Sequence, residues 1–431
     1  MAAESKTTSK RKVAFPWAVA LFAMVNVALY CYMSAMSAQG NIFGKRELTL
    51  EALRATNYEK RTEGPWVWWV TKTFLAQPRT PDVVLLGSSQ MGSAIFSAEA
   101  EHRGAIVDTT DDRQVTRLAA ELARAGTGKP EVFNFSMGGA MVSDHYLMAN
   151  TLFKGEHKPK VAIIGVNPRD FIDNNLPSAS ATDTFHFLSG YADLEKLAPV
   201  SFDDSFGYLD YLINRNLPLK KANLLVTGDL PPSLGTKPSF TNPEGKGAVK
   251  STEKKPVTTQ VLRAISGSAG DVKKGEWVLP AFPPYLYMDN SKEYIKRYKN
   301  EHPRCAEGQR RYFEELLSFL ADQDIKVIVV GMPSQACNRQ LLSQGFWTEF
   351  RSFLARTTNT YGGTYVDLFD DKRFLADKDY LDTVHLNRWG GGKLVKAIAE
   401  ATASRADIVA SLKNKHGTAI GGKPAHQGKW Q

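Results

Sequence analysis

Cysteine is scarce, with three residues in a chain of 431, too few for a disulfide-bonded mini-scaffold and in no Cys/His spacing that would hold zinc. The chain has no basic helix with interleaved aromatic residues, although its formal charge is +9. Its lysines and arginines are dispersed, and several lie at the N-terminal end. That pattern excludes nucleic acid as the expected partner and leaves a solvated basic surface, with attraction to anionic membranes or acidic polysaccharide as the charged alternative. Internal repeats are absent as well, which excludes a solenoid or propeller.

Charge is missing altogether from residues 13 to 36, VAFPWAVALFAMVNVALYCYMSAM, a run of 24 positions. About 20 apolar residues in a helix cross a bilayer core, so the segment is read as a transmembrane anchor. Lys6, Lys10, Arg11 and Lys12 precede it and the next basic residue is Lys45. The positive-inside rule then places residues 1–12 in the cytoplasm and the rest of the chain outside. A cleaved signal peptide is the alternative, since Ala35-Met36-Ser37-Ala38 offers small residues near a cut, but the run exceeds the 7–15 residues typical of a signal core. Residues 37–80 form a connecting segment whose cluster Trp66-Val67-Trp68-Trp69 is either interfacial or core.

Beyond residue 80 the chain alternates short apolar runs with helical patterns. The runs are 83–87 (VVLLG), 132–136 (VFNFS), 161–166 (VAIIGV), 326–332 (KVIVVGM) and 364–369 (TYVDLF). Helices are expected around 111–126, 141–153, 307–323, 340–357 and 389–408. Buried runs separated by helices indicate parallel strands joined by right-handed crossovers. The fold class is therefore α/β, a three-layer α/β/α sandwich around a five-stranded parallel sheet.

Between the third strand and the fourth lies an insertion, residues 173–304, far longer than an ordinary connection. It contains an aromatic, helical part (185–225), a soft polar part (235–260) expected to be a mobile loop, and a Pro-rich apolar part (277–288). The flanking parts are expected to form a cap beside the site. Residues 409–431 carry little periodicity and are expected to be a disordered tail. Cys31 falls in the anchor, leaving Cys305 and Cys337 as the available pair. Cys305 precedes a helix and Cys337 follows the next strand, so a helix packed antiparallel to that strand would bring both thiols to one sheet edge, and a disulfide between them is expected.

The C-terminal ends of parallel strands are where such sheets place their sites. Ser89 opens a turn after the first strand, flanked by Gly87 and Gly92, where a hydroxyl stands exposed near free backbone N–H groups. Taken alone, Gly-Ser-Ser is more often a plain loop or a phosphate-binding turn. Gly138-Gly139 follows the second strand. Asn167 follows the third, where its amide would donate to an oxyanion or merely form a turn before Pro168. Asp382 precedes His385 by three residues, a spacing that lets the carboxylate fix the imidazole tautomer while the imidazole acts as base. Helix capping by Asp382 and a packed His385 are the plainer readings. The order and common sheet edge favour a joint acyl-transfer site.

On these residues the chain resembles the SGNH/GDSL hydrolase superfamily over about 81–172 and 305–408. Gly87-Ser88-Ser89 matches its Gly-Asp-Ser block, with Ser88 in place of the usual Asp and Ser89 as nucleophile. Gly138 or Gly139 matches the second block, Gly165-Val166-Asn167 the third, and Asp382-Thr383-Val384-His385 the last. The resemblance implies a flavodoxin-like sheet, Ser89, Asp382 and His385 as catalytic residues, Gly138, Gly139 and Asn167 at an oxyanion hole, and no metal or organic cofactor. Gly-Ser-Ser on an exported, anchored chain looks more like the membrane-linked branch, which includes D-alanyl transfer proteins of teichoic acid and exopolysaccharide O-acetylation proteins. That likeness implies acyl transfer to or from a cell-envelope glycan, often beside a multi-spanning membrane acyltransferase. An esterase using the same residues, and a non-catalytic glycan-binding or scaffolding protein, are the other readings.

Overall fold

The computed structural model describes residues 16–17, 19–28, 31, 48–54, 58, 63–216, 272–273, 278–279, 287–299 and 302–414. The expected anchor lies partly outside them. Residues 19–28 within it are helical, and among the described residues no helix is long and apolar enough to cross a membrane. The soft part of the insertion, 235–260, lies wholly outside.

Five strands form one all-parallel sheet: β1 (Val83–Leu86), β2 (Val132–Asn134), β3 (Val161–Val166), β4 (Lys326–Gly331) and β5 (Thr364–Asp367). Their order is β2-β1-β3-β4-β5, with Val83 opposite both Val132 and Val161, and Val161 opposite Lys326. All five coincide with the apolar runs of the sequence. Every residue of β1, β2 and β3 is buried, as expected where helices cover both faces.

The faces separate by strand alternation. Val84, Leu86, Ala162, Ile164, Val327 and Val329 face a layer containing helices α1 (Trp66–Leu75), α4 (Val142–Leu152), α6 (Pro303–Asp322) and α7 (Gln344–Thr360). Val83, Leu85, Val161, Ile163, Ile328 and Val330 face the other, with α2 (Ser89–Arg103), α3 (Thr116–Arg124), α8 (Arg388–Ala403) and α9 (Ala406–Lys413). Each fully buried Val, Leu or Ile contributes about 1.5–3 kcal/mol relative to exposure, so the two cores hold the sheet as a middle layer. The remaining described helix of the insertion that bears on the site is α5 (Ser291–Tyr298).

Two expectations change, one open alternative is decided and one element is added. Trp68 and Trp69 are about 1% exposed and pack edge to face, with ring centroids 4.6 Å apart, so the tryptophan cluster is core and not interfacial. Helix α2 adds an element that periodicity does not reveal, because eleven of its fifteen residues are buried and no polar stripe remains. Helix α9 shows that the 409–431 segment begins as helix, with Leu412 buried against the second core. The expected disulfide is not formed: Cys305 and Cys337 are both free. Cys337 lies six residues past Gly331, the last residue of β4, on the short helical turn Ala336–Arg339, and so not at the strand end where the pairing requires it. Cys305 is buried and donates to Leu176 O at 3.3 Å, while Cys337 is exposed and lies beside Gln335.

Candidate active site

In the order β2-β1-β3-β4-β5 the chain changes direction across the sheet between β1 and β3, and the crevice beyond those strand ends is where open α/β sheets bind ligands. Ser88 and Ser89 follow β1, and Asn167 follows β3. Ser88 caps α2, so Ser89 is its first helical residue. The free N–H groups and positive end of a 15-residue helix therefore lie at the serine.

Ser89 is half-buried, whereas Asp382 and His385 are each 2% exposed. His385 Nε2 lies 2.9 Å from Ser89 Oγ, and His385 Nδ1 lies 2.6 Å from Asp382 Oδ2. The second carboxylate oxygen, Asp382 Oδ1, accepts the amides of Val384 and His385, both at 2.8 Å. With that carboxylate fixed, the network assigns the Nδ1 proton to the Asp382 side and leaves Nε2 to accept from Ser89. The loop itself is tied to α2, since Ser93 Oγ donates to Leu386 O at 2.7 Å. Leu381 N donates to His385 O at 2.7 Å, and Asn387 caps α8 by accepting from Trp389 N and Gly390 N.

The turn holding Gly138 and Gly139 runs beside the serine, with Met137 N donating to Gly87 O at 3.1 Å. Gly139 has φ +75°, a left-handed conformation that glycine adopts without a Cβ penalty. Two buried guanidinium groups pin this segment. Arg113 Nη1 donates to Asn134 O and Ser136 O at 3.3 and 2.7 Å, and Arg169 donates to Ala140 O and Gly139 O at 2.8 and 2.9 Å. Burial pushes the Arg113 guanidinium down to about 9. With those carbonyls engaged by arginine, the amides of Gly138 and Gly139 donate to no described protein acceptor, the state expected of oxyanion donors.

Asn167 stands at the site but is turned differently from expectation. Its side-chain amide donates to Ser88 Oγ at 3.2 Å and to Asp170 Oδ2 at 2.7 Å, so both of its hydrogens are engaged. Its Oδ1 accepts the Arg169 amide at 3.0 Å. Asp170 is fully buried, its Oδ1 accepts no hydrogen bond and lies 3.6 Å from Arg169 Nη1, and burial pushes its carboxyl up to about 7 against the lowering effect of Arg169.

Ser89, Asp382 and His385 are thus brought together from opposite ends of the chain, with Gly138, Gly139 and Asn167 along the same edge. Sequence reasoning missed Arg169, Asp170 and Asp173. The signal available was the Arg169–Asp173 spacing of four directly after Gly165-Val166-Asn167, which matches a buried pair at 2.8 Å on one short helical turn. It also missed Gln335, whose Nε2 donates to Ala376 O at 3.1 Å and approaches Asp382 O at 3.4 Å, bracing the acid-base loop from the end of β4.

The fold and these residues define a parallel α/β sheet bearing a serine–histidine–aspartate relay at its C-terminal edge. Compared with known proteins, the chain matches no protein-family description, and no curated protein matches it.

Proposed function

We propose that this protein is an SGNH-type serine acyltransferase, exported and held in the membrane by residues 13–36, that O-acylates a cell-envelope polysaccharide through an acyl-Ser89 intermediate. The observation that carries the proposal is the unbroken relay from half-exposed Ser89 through His385 to buried Asp382, at 2.9 and 2.6 Å.

In this mechanism His385 Nε2 takes the Ser89 proton as Oγ attacks an acyl carbonyl, and Asp382 stabilises the imidazolium that results. The negative oxygen falls at the start of α2, within reach of the Ser89 amide and the Gly138–Gly139 turn. A donor of this kind typically supplies about 3 kcal/mol. Collapse of the intermediate returns the proton from His385 to the leaving oxygen and leaves an ester on Ser89. A sugar hydroxyl, deprotonated by the same nitrogen, then attacks that ester and regenerates the serine. The site residues need no metal or organic cofactor for these steps. A multi-spanning membrane acyltransferase is the partner that would supply the acyl group.

One observation favours hydrolysis as the second reading: Ser89 is accessible from solvent, so water reaches an acyl group there unless an acceptor or the insertion excludes it. The test incubates full-length protein in detergent with p-nitrophenyl acetate, with and without an envelope glycan. Mass spectrometry follows the protein and the products, with Ser89→Ala as control. Acetyl on Ser89 that passes to glycan supports the transferase, release only as free acetate supports an esterase, and neither adduct nor turnover in folded protein rejects both. For the anchor, retention of full-length protein in membranes after alkaline carbonate washing is expected, and release would reject it.

A further inference from the structure

The described end of the insertion, Tyr287–Lys299, touches both halves of the site. At its start, Met288 N donates to Leu381 O at 2.9 Å and the Tyr287 hydroxyl donates to Gln335 Oε1 at 3.2 Å. Asn290 Oδ1 accepts the amide of Thr383 at 3.2 Å and also its hydroxyl. These contacts seat the stretch on the Asp382–His385 loop.

Its other end, on α5, reaches the opposite side. Arg297 Nη1 pairs with Asp173 Oδ2, and the same oxygen accepts Arg169 Nε at 2.8 Å. The Arg297 carbonyl accepts Asn174 N at 3.0 Å. Arg169 carries the connection onward, since its two terminal nitrogens hold Gly139 O and Ala140 O. The path from the insertion to the glycine turn is thus three side chains long. Its centre is dry: the Asp173 side chain is 0% exposed, Arg169 8% and Arg297 16%. Burial alone would raise the Asp173 carboxyl, but Arg169 and Arg297 outweigh it and hold the group below the ordinary carboxylate range, so it stays ionised. Removing one cation from a buried, doubly paired carboxylate leaves charge that the remaining arginine must rearrange to meet. That arginine is the one that pins the glycine turn.

We infer that Arg297 is a positioning residue of the acyl-transfer site, acting through Asp173 and Arg169 to hold the Gly138–Ala140 turn with its amides directed at the oxyanion. The insertion therefore has to be seated for Ser89 to be acylated at full rate. This role rests on Ser89 being the acylated nucleophile.

The experiment compares full-length wild type, Arg297→Ala and Arg297→Lys in two readouts: acylation by p-nitrophenyl acetate, and hydrogen exchange at the two bonded amides of the turn, Met137 N to Gly87 O and Ala140 N to Met137 O. For Arg297→Ala the expected result is a ten- to hundredfold lower kcat, roughly what a displacement near 1 Å costs. KM should stay within about twofold, because ground-state binding is untouched, and the pH–rate profile should keep its shape because His385 and Asp382 are unchanged. Exchange at Met137 and Ala140 should rise while exchange in β1 and β3 stays the same, and Arg297→Lys should recover part of both. Unchanged exchange at the turn overturns the inference, as does a loss confined to KM. A wild type that is never acylated fails the functional reading instead, while the exchange comparison still decides the coupling. Should Arg297→Ala not fold, Arg297→Gln carries the same two readouts.

Discussion

The side-chain amide of Asn167 donates to Ser88, the neighbour of Ser89, at 3.2 Å. The hydroxyl at position 88 therefore belongs to the support of Asn167, while the one at position 89 faces His385. Replacing Ser88 with alanine removes one bond from a buried amide and leaves the relay intact, so the acylation rate should fall less than about tenfold. Ser89→Ala should lose about 10⁴-fold or more in kcat. Rates measured with p-nitrophenyl acetate test both, and equal losses would assign the attack to the wrong serine.

Asp382 fixes the tautomer through one oxygen and the loop through the other. In Asp382→Asn the amide can face Nδ1 as a donor, which stabilises the wrong tautomer and removes the base at Nε2. A loss near 10⁴-fold in kcat is expected, in line with serine–histidine–aspartate enzymes generally, with the melting temperature little altered. A loss below about tenfold would show that His385 does not need this carboxylate.

Helix α8 approaches α2 at Gly391, where an added Cβ would overlap the backbone carbonyl of Ala94. Gly391→Ala must push the helices apart, an overpacking that costs about 1–3 kcal/mol. A fall in melting temperature of several degrees is expected, together with reduced activity, because His385 lies six residues before Gly391 in the same loop–helix unit. Unchanged melting would mean that the two helices are not in backbone contact.

Asp170 predicts a pH dependence of stability. Its carboxyl is raised by burial from 3.8 to about 7 in the folded chain, so between those values the folded state holds a proton that the unfolded state has released. Stability then falls as pH rises through that window, by at most about 4 kcal/mol at 1.36 kcal/mol per unit. Asp170→Asn cannot titrate and should flatten the slope between pH 4 and pH 7. Melting curves across that range decide it, and parallel curves for the two proteins would assign the proton elsewhere.

The central strands were legible because they are buried on both faces and so appear as uninterrupted apolar runs, as in VVLL and VAIIGV, whereas the edge strand β5, TYVD, is only partly buried. Ser89 was legible because it directly follows a strand end, where a polar residue is conspicuous, and Asp382 and His385 because their spacing of three falls in a loop that leads into the last long helix. Helix α2 was not, because burial on nearly every side erases the polar stripe that marks a helix. Arg169, Asp170 and Asp173 were hidden by their own chemistry: a charged run after a strand reads as a solvated loop, and only the fold reveals that Arg169 and Asp173 pair inside with Asp170 buried beside them. The Cys305–Cys337 pairing failed because it takes Cys337 to sit at its strand end, whereas a loop and a helical turn carry it away from β4.

Ser89 and His385 stand 296 positions apart in the sequence. At about 5–20 residues per second, a ribosome places the serine in the growing chain about 15–60 s before it adds the histidine. Throughout that interval the hydroxyl has no base to take its proton. A chain that stops short of His385 therefore lacks the base of the proposed mechanism, and under that proposal no acyl ester forms on Ser89 while the protein is still being made.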